Sequence, residues 1–317
     1  MYLIVYTGGT IGMVQEEKTG RLVPSDIKSV QSFIEQMNIE SSLDITTIEP
    51  AIDSSNIQKN HIEGLLEIIH LNYQKYKGFL ILMGTDSMAY VSALLSYCIE
   101  GLTKPIIFTG SQLPLFEDQT DAKSNLTFAV QGLINNAFPK EVGICFHQKW
   151  HRAVQANKVD AQGFDAFWSP NFVSETFKLP KADLYVQKNI TANVAVYKCL
   201  PYQNTEILKT MLQSEFLDAL LIEAFGSGNM PEFDVELKEL FQQKIAEGLQ
   251  VVLLTQCPKG SVLMGAYQTG MAAKELGFLD GKHLTTESAL AKISYLISKK
   301  LKTKNIRDSF EKSLRGE

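Results

Sequence analysis

The sequence predicts an α/β fold with a larger N-terminal domain on a mostly parallel sheet and a smaller C-terminal α/β domain. Three observations carry this prediction. Short apolar runs alternate with longer segments of helical periodicity, most of the apolar runs are continuous, and a Pro-containing stretch interrupts the alternation after residue 161. Continuous apolar runs are typical of strands covered on both faces. Alternation of strand and helix implies right-handed crossovers between parallel strands, and a break in it indicates a domain boundary.

The N-terminal domain, predicted over residues 1–161, contains five strand candidates with helical segments between them. The expected strands are Tyr2–Tyr6, Leu43–Ile48, Phe79–Met83, Ile106–Thr109 and Val142–Phe146. The expected helices are Ser25–Met37, Ile57–Tyr76, Ser87–Glu100 and Asp121–Asn135. Apolar residues recur at helical spacing within the second of these helices, as one face packed on a sheet requires.

A linker is predicted over residues 162–189, which contain Pro170, Pro180 and mixed charge without a long periodic pattern. The alternation resumes in the C-terminal domain, predicted over residues 190–317. Its expected strands are Val194–Tyr197, Leu220–Ala224 and Val251–Thr255. Its expected helices are Thr205–Gln213, Asp234–Glu247, Val262–Leu276 and Thr286–Lys300.

The composition argues against nucleic acid or a membrane as the main partner. The chain has 317 residues, of which 45% are hydrophobic and 21% charged, with a formal net charge of −5. Both nucleic acid and an anionic membrane surface require a basic footprint. No apolar run approaches the ~18 residues of a membrane span, and the N-terminus lacks the pattern of a signal peptide.

The cysteines indicate a reducing compartment. None of the four forms a C-x-x-C pair, and three lie in apolar stretches; they are Cys98, Cys145, Cys199 and Cys257. Buried free thiols are expected rather than disulfides, and we therefore expect a cytoplasmic location.

Polar residues and glycines follow four of the predicted strands. These segments are Thr7–Gly12, Asp53–Asn56, Gly84–Met88 and Gly110–Pro114. Because ligands of open α/β sheets bind beyond the carboxyl ends of the strands, the four segments predict one crevice. It would be lined with hydroxyls, glycine backbone and a carboxylate, and none of the four segments contains a histidine.

This set of groups predicts acyl transfer by a hydroxyl nucleophile. Glycine after a strand allows N–H groups to approach an oxyanion, and a threonine hydroxyl needs a base nearby. Asp86 can act as a carboxylate or hold a cationic partner, and a lysine with a lowered pKa can accept a proton. The fingerprints of phosphate-binding and dinucleotide-binding loops are absent.

Each motif by itself also has a structural explanation. The segment Thr7–Thr10 can be a plain strand–helix turn, and Asp86 or Ser87 can cap the helix that follows. Both motifs at the ends of alternating strands favour a site. His147 and His151 are four residues apart, but they fall at a strand end and loop without a third ligand, so we expect surface or structural histidines and no metal.

The chain resembles the bacterial-type L-asparaginases over nearly its whole length, and most closely their cytosolic type I branch. The motifs that carry the resemblance are Tyr6–Met13, Ile52–Ser55, Gly78–Tyr90, Thr109–Gln112, Gly163–Phe167, Ser169–Asn171 and Leu254–Cys257. The resemblance implies hydrolysis of L-asparagine to aspartate and ammonia without cofactor or metal, by a homodimer or homotetramer.

The resemblance also assigns roles to single positions. Thr10 matches the family's primary nucleophile. Thr85, Asp86 and Lys158 match a second triad, in which a lysine held by the aspartate polarises the second threonine. Ser54 matches a residue that binds the substrate α-carboxylate, and Asp86 also matches the residue that binds the α-ammonium group. The expected substrate-binding set is Gly9, Ser54, Ser55, Gly84, Thr85, Asp86 and Ser111.

Three positions depart from the family pattern. Many members carry a tyrosine in the loop after Thr10, where this chain reads Gly20–Pro24, and Met83 replaces a histidine. Glu223 stands where cytosolic members that are regulated by asparagine carry an arginine, so we expect no allosteric control although Cys257 is retained. Asn229 either reaches a neighbouring subunit's site, as the resemblance implies, or is a left-handed turn residue.

Other functions stay open at this point. A glutaminase-asparaginase or another small-amide amidohydrolase would use the same groups. An ammonia-supplying subunit of a tRNA amidotransferase shares the threonine motifs but carries an extra N-terminal domain, whereas Thr10 lies near the start here. A non-catalytic amino-acid-binding module would not need Thr10, Thr85, Asp86 and Lys158 together. Lipid ester hydrolysis, found among animal relatives, would need an apolar entry.

Overall fold

The computed structural model describes residues 1–23, 26–37, 43–171, 182–265 and 268–317. The described chain divides into two compact units. The N-terminal unit holds residues 1–169 and 182–188, and the C-terminal unit holds residues 170–171 and those from 189 onward. The predicted linker lies partly outside the described residues, which exclude 172–181. The domain boundaries expected from the sequence stay a prediction.

The N-terminal unit is built on a six-stranded sheet flanked by helices. Its strands are β1 (Tyr2–Gly8), β2 (Val14–Gln15), β3 (Leu22–Val23), β4 (Leu43–Ile52), β5 (Phe79–Leu82), β6 (Ile99–Glu100), β7 (Ile106–Thr109), β8 (Val142–Phe146), β9 (Lys149–Arg152), β10 (Asn157–Lys158), β11 (Phe167–Trp168) and β12 (Tyr185–Val186). Its helices are α1 (Lys28–Gln36), α2 (Lys59–Asn72), α3 (Met88–Cys98) and α4 (Ala122–Ile134).

The order of the main sheet is β4-β1-β5-β7-β8-β9. Every neighbouring pair is parallel except β8 and β9, which form an antiparallel hairpin at the edge. The shorter strands pair as β2 with β3, β6 with β12 and β10 with β11. The carboxyl ends of β4, β1, β5 and β7 therefore lie side by side, which is the arrangement that a common crevice requires.

Apolar residues explain why the central strands are buried on both faces. Every residue of β1, β5, β7 and β8 is buried, which a continuous apolar run permits and an alternating one would not. On one face, Tyr2, Ile4 and Tyr6 of β1 belong to a core cluster with Leu126 and Leu133 of α4.

The C-terminal unit contains a parallel sheet of order β13-β14-β15-β16. Its elements are β13 (Val194–Lys198), α5 (Glu206–Leu212), β14 (Ala219–Ala224), α6 (Val235–Glu247), β15 (Gln250–Thr255), α7 (Gln268–Glu275), β16 (Leu279–Asp280), α8 (Thr286–Ser298) and α9 (Thr303–Phe310). Both ends of helix α6 are set by capping residues. At its start, Asp234 accepts a hydrogen bond from the N–H of Leu237 at 2.8 Å, and at its end Gly248 has φ 119°.

The predicted α/β fold class is confirmed, and several details differ. The helix expected over Val262–Leu276 was placed too early, because Gly265 has φ 99° and α7 begins at Gln268; residues 266–267 lie outside the described chain. The stretch expected to be a linker contains β11 and β12, which pair with β10 and β6. Within the described ranges, no helix is long and apolar enough to span a bilayer.

Candidate active site

Glycines bring the ends of β1, β4 and β5 into backbone contact. Gly8 and Gly9 have φ 116° and 85°, which side chains other than hydrogen disfavour. A Cβ on Gly8 would lie 2.4 Å from the oxygen of Ile52, and one on Gly9 would lie 2.2 Å from the nitrogen of Gly84. The three loops that follow these strands can approach so closely only because these positions are glycine.

The contact between Gly9 and Gly84 sets the positions of two threonines. Thr10 directly follows Gly9 and opens a 3-10 turn over Thr10–Gly12, while Thr85 directly follows Gly84. The side chain of Thr10 is half-buried and makes no hydrogen bond to a residue that the structure describes. Its hydroxyl is therefore available to a ligand at the end of β1.

Lys158 joins the second threonine to the neighbouring carboxylate. Its Nζ donates to Thr85 Oγ1 at 2.7 Å and to Asp86 Oδ1 at 2.7 Å. The side chain of Lys158 is 16% exposed and that of Asp86 is 65% exposed, so the pair lies at the border between protein and solvent. Lys158 lies in β10, where it pairs with Phe167 of β11. It is 72 residues from Asp86 in the sequence, yet the fold brings the two side chains into contact.

Ser54 lies against the same glycine loop. A Cβ on Gly84 would meet Ser54 Oγ at 2.5 Å, and Ser87 Oγ donates to the carbonyl oxygen of Ser54 at 2.7 Å. Asp53 accepts hydrogen bonds from both the N–H and the hydroxyl of Ser55 at 3.0 Å. Ser54 is buried in the crevice, whereas Ser55 is exposed and turned back on its own loop.

The remaining predicted members of the site have their polar groups engaged elsewhere. The N–H of Gly9 donates to the carbonyl oxygen of Ile52 at 3.1 Å, so it is not available to hold an oxyanion. The hydroxyl of Ser111 donates to the carbonyl oxygen of Leu113 at 2.6 Å, within its own loop. Ser111 lines the loop that follows β7 but directs its proton away from a ligand.

Gln112 also belongs to the group of residues around Thr85, although the site predicted from the sequence did not include it. Thr85 Oγ1 donates to Gln112 Oε1 at 3.1 Å. The signal that could have found this residue is its place directly after Ser111 in the fourth strand-end motif, since every other such motif contributes to the crevice.

A tyrosine of β1 supports the turn that carries Thr10. A Cβ on Gly12 would lie 2.0 Å from the hydroxyl oxygen of Tyr6, so the ring packs beneath the turn and excludes a side chain there. Burial, with a smaller contribution from Asp26, raises the pKa of Tyr6 to about 12. The loop after Thr10 contains the antiparallel pair β2–β3. Pro24, at the end of this loop, lies outside the described residues.

The two histidines do not form part of the crevice. His147 is exposed in the turn between β8 and β9, with φ 48°. His151 lies within β9, not in a loop as expected, and its Nδ1 is 3.1 Å from Ser169 Oγ. Burial lowers the pKa of His151 to about 4. In the part of the chain that the structure describes, no three His, Cys, Asp or Glu side chains group as a metal site would require.

Glu223 of the C-terminal unit is engaged by its neighbours. It lies in β14, where Thr286 Oγ1 donates to its Oε1 at 2.6 Å and Lys198 Nζ is 3.8 Å from its other carboxylate oxygen. Its side chain is 16% exposed. An anionic ligand at this position would be repelled by the carboxylate of Glu223, which its neighbours hold in place.

Comparisons with known proteins agree with this architecture. The family model described as "Asparaginase, N-terminal" matches residues 2–189, and the "Glutaminase/Asparaginase C-terminal domain" matches residues 193–310. The chain is 34% identical to L-asparaginase 1 of Escherichia coli strain K12, over 99% of this chain and 96% of that protein. It is also 31% identical to the 60 kDa lysophospholipase of Mus musculus, covering 99% of this chain and 62% of that protein.

Solved structures show the same fold. L-asparaginase I from Vibrio cholerae superposes with a TM-score of 0.88 at 31% identity, covering 99% of this chain and 98% of that one. The thermostable L-asparaginase from Thermococcus kodakarensis superposes with a TM-score of 0.87 at 26% identity, with the same two coverages. Because both family models match and the likeness extends over nearly the whole chain, this chain belongs to the bacterial-type asparaginase family, on its type I branch.

Proposed function

We propose that the chain hydrolyses the side-chain amide of L-asparagine to aspartate and ammonia, with Thr10 as the nucleophile. The observation that carries the proposal is the position of Lys158, whose ammonium group bridges Thr85 and Asp86 at 2.7 Å each. This bridge lies beside the glycine contact that brings Thr10 and Thr85 together. A hydroxyl nucleophile needs a proton acceptor and a proton donor for the leaving group, and the bridge offers both.

Two ends of the crevice match the two charged ends of an amino acid. Asp86 uses one carboxylate oxygen for Lys158, and the exposed other oxygen accepts no hydrogen bond from a described residue, so it can bind an α-ammonium group. The buried Ser54 hydroxyl, supported by Ser87, can donate to an α-carboxylate. Ser55 follows Ser54 in the chain and Gly84 packs against it, while Ser111 belongs to the loop after β7.

The proposed reaction is a two-step displacement. Thr10 Oγ attacks the amide carbon, Lys158 gives a proton through Thr85 to the leaving nitrogen, and the proton that Thr10 loses replaces it on Lys158. The C–N bond then breaks and ammonia leaves. The oxyanion is held by the backbone N–H groups of Thr10 and Thr85, since that of Gly9 is bonded to Ile52. Water then attacks the acyl-enzyme, and aspartate is released with Thr10 restored.

Ammonia release from L-asparagine, L-glutamine and buffer alone, measured in parallel, tests this proposal. Thr10 stands at a set distance from Asp86 and Ser54, and glutamine is one methylene longer, so its amide carbon overshoots the nucleophile. We expect kcat/KM to favour asparagine by at least about tenfold. Equal or higher efficiency on glutamine would move the protein to the glutaminase-asparaginases. Release from neither amide would leave a non-catalytic amino-acid-binding module.

We further propose a cytoplasmic homodimer or homotetramer, without a nucleic-acid or membrane partner. The net charge of −5 supports the second part, because neither polyanion would be attracted. Light scattering coupled to gel filtration measures the assembly directly. A monomer at assay concentration would contradict the proposed oligomer.

A further inference from the structure

Gln112 connects the second threonine to the segment that follows Lys158. Its side-chain oxygen accepts from Thr85 Oγ1 at 3.1 Å. Its side-chain nitrogen donates to the carbonyl oxygens of Gly163 at 3.1 Å and Asp160 at 3.4 Å. One amide therefore contacts both the hydroxyl that receives the lysine hydrogen bond and the turn only two residues beyond that lysine.

The orientation of this amide determines where the proton of Thr85 points. The nitrogen end faces two backbone carbonyl oxygens, which can only accept, so the carbonyl end must face Thr85. A threonine hydroxyl has one proton, and Thr85 gives it to Gln112. The hydrogen bond between Lys158 and Thr85 must then use an N–H of the lysine, and the threonine oxygen accepts it.

The backbone around Gln112 is anchored independently of its side chain. The buried carboxylate of Asp121 accepts from the N–H groups of Gln112 and Leu113 at 3.0 Å to 3.1 Å, and from Asn125 Nδ2 at 3.0 Å. On the other side, Asp160 Oδ1 accepts from the N–H of Gly163 at 2.7 Å and closes the turn. The amide thus lies between two fixed backbone segments, although Gln112 itself is only half-buried.

We propose that Gln112 is a positioning residue for the reaction, acting through Thr85 and Lys158; this assignment rests on the function proposed above. By accepting the proton of Thr85, it leaves the threonine oxygen as an acceptor for Lys158 and fixes the direction of that hydrogen bond. By donating to Gly163, it keeps the turn after Lys158 at a set distance from Thr85. The charged groups that face Lys158 are Asp86, which is bonded to it, and Asp160.

Gln112→Met tests the kinetic part, because methionine has a similar length and neither donates nor accepts as an amide does. We expect kcat for asparagine to fall about tenfold while KM stays within about twofold, since Thr85 loses its fixed direction and the substrate contacts remain. Gln119→Met is the matched control, because Gln119 is exposed on the same loop and should keep wild-type kinetics. Thermal melting of each variant establishes that it is folded.

A second readout needs no turnover. Acetic anhydride acetylates neutral amines, and peptide mass spectrometry reports the modification of Lys158 alone. In Gln112→Met, the Thr85 hydroxyl loses the partner that fixes its direction, so Lys158 loses a fixed acceptor and its acetylation at pH 8 should rise by about twofold to fivefold, the worth of one hydrogen bond. Gln112→Glu keeps an oxygen acceptor for Thr85, so its Lys158 should react no faster than in the wild type.

The outcomes separate this assignment from the proposed function. Wild-type protein that releases no ammonia from asparagine would refute the function, while the acetylation rates would still decide the role of Gln112. The assignment is overturned if Gln112→Met keeps kcat within about twofold of the wild type, or if it leaves Lys158 acetylation unchanged. It is also overturned if Gln112→Glu speeds acetylation as much as Gln112→Met does, because the acceptor would then be irrelevant.

Discussion

At the scale of single residues, the chemistry of the proposed site depends on one lysine held by two neighbours. Lys158 would look like a surface charge from its local sequence, and lysines are seldom buried unless they are paired. Here it is 16% exposed and bonded to Thr85 and Asp86. A half-buried ammonium with two fixed acceptors can pass a proton to a leaving group without first giving up a full shell of water.

Replacement of Lys158 by methionine should remove this proton transfer. We expect Lys158→Met to lower kcat on asparagine by on the order of a thousandfold, with far-UV circular dichroism unchanged. Lys149→Met is the control, because Lys149 is close to Lys158 in the chain but forms an exposed ion pair with Asp165. A Lys158→Met enzyme with an unchanged rate would show that the lysine has no part in the reaction.

The sequence predicted these residues unequally well. Thr10, Thr85 and Asp86 follow strands directly, so the topology alone brings them to one edge of the sheet. Lys158 came only from the family resemblance, because the two-residue strand β10 that delivers it has no periodicity to detect. Gln112 was missed because its role depends on the direction of an amide, which no spacing in the sequence encodes.

At the scale of elements, the site depends on how closely three strand ends approach. Gly9→Ala would place a Cβ 2.2 Å from the nitrogen of Gly84, at φ 85°. Neither backbone can yield without moving Thr10 or Thr85. We therefore expect activity to fall at least about a hundredfold, with a loss of stability of more than about 1 kcal/mol.

The matched control for this substitution lies in helix α2. Gly64 has open space where a Cβ would go, and its φ is not in the left-handed region. Gly64→Ala should therefore keep full activity and raise stability by about 0.5–1 kcal/mol, because alanine favours the helix. Urea denaturation measures both variants. Similar activities for the two would contradict the packing argument.

Strand β9 introduces an acid-sensitive group. Burial lowers the pKa of His151 from 6.5 to about 4 in the folded protein. Below pH 6.5, His151 binds a proton in the unfolded chain but not in the folded chain. The free energy of unfolding therefore falls as the pH drops toward 4. The full difference is roughly 3 kcal/mol.

Urea denaturation at pH 7.5 and pH 5 measures this effect. His151→Asn should lose less stability between the two pH values than the wild type does, because asparagine does not titrate. His147→Asn, on the exposed turn of the same hairpin, should behave as the wild type. The same loss of stability in His151→Asn as in the wild type would assign the acid sensitivity to other groups.

The periodicity of the sequence predicted long elements better than short ones. Helices α2, α4, α6 and α8 lie within their expected segments, and α6 also has its own capping residue. Strands of two residues such as β11 and β12 carry no pattern, so their region read as a linker. The early start assigned to α7 ignored Gly265, whose backbone ends helical geometry.

At the scale of the whole molecule, the alternation of strands and helices was enough to predict two α/β units and the edge that carries the proposed site. Continuous apolar runs mark strands buried on both faces, and these form the centre of the observed sheet. The antiparallel edge strand β9 was not predicted, because a hairpin partner at a sheet edge has only one covered face and a short run.

The C-terminal unit bears on regulation of the whole enzyme. Glu223 is already bonded to Thr286 and faces Lys198, and its charge would repel the carboxylate of an effector at that position. We expect asparagine saturation to be hyperbolic. Initial rates over a wide range of asparagine concentration give the Hill coefficient, and a value clearly above one would contradict this account.

Turnover of asparagine by Thr10→Ala tests the central claim most directly, because the hydroxyl of Thr10 is the one group for which the proposed mechanism has no substitute. The wild type should release ammonia from asparagine. Thr10→Ala should retain less than about a hundredth of the wild-type kcat while it still binds asparagine, because the α-ammonium and α-carboxylate contacts lie on Asp86 and Ser54. A Thr10→Ala enzyme that keeps more than about a hundredth of the wild-type kcat would contradict the assignment of Thr10 as the nucleophile.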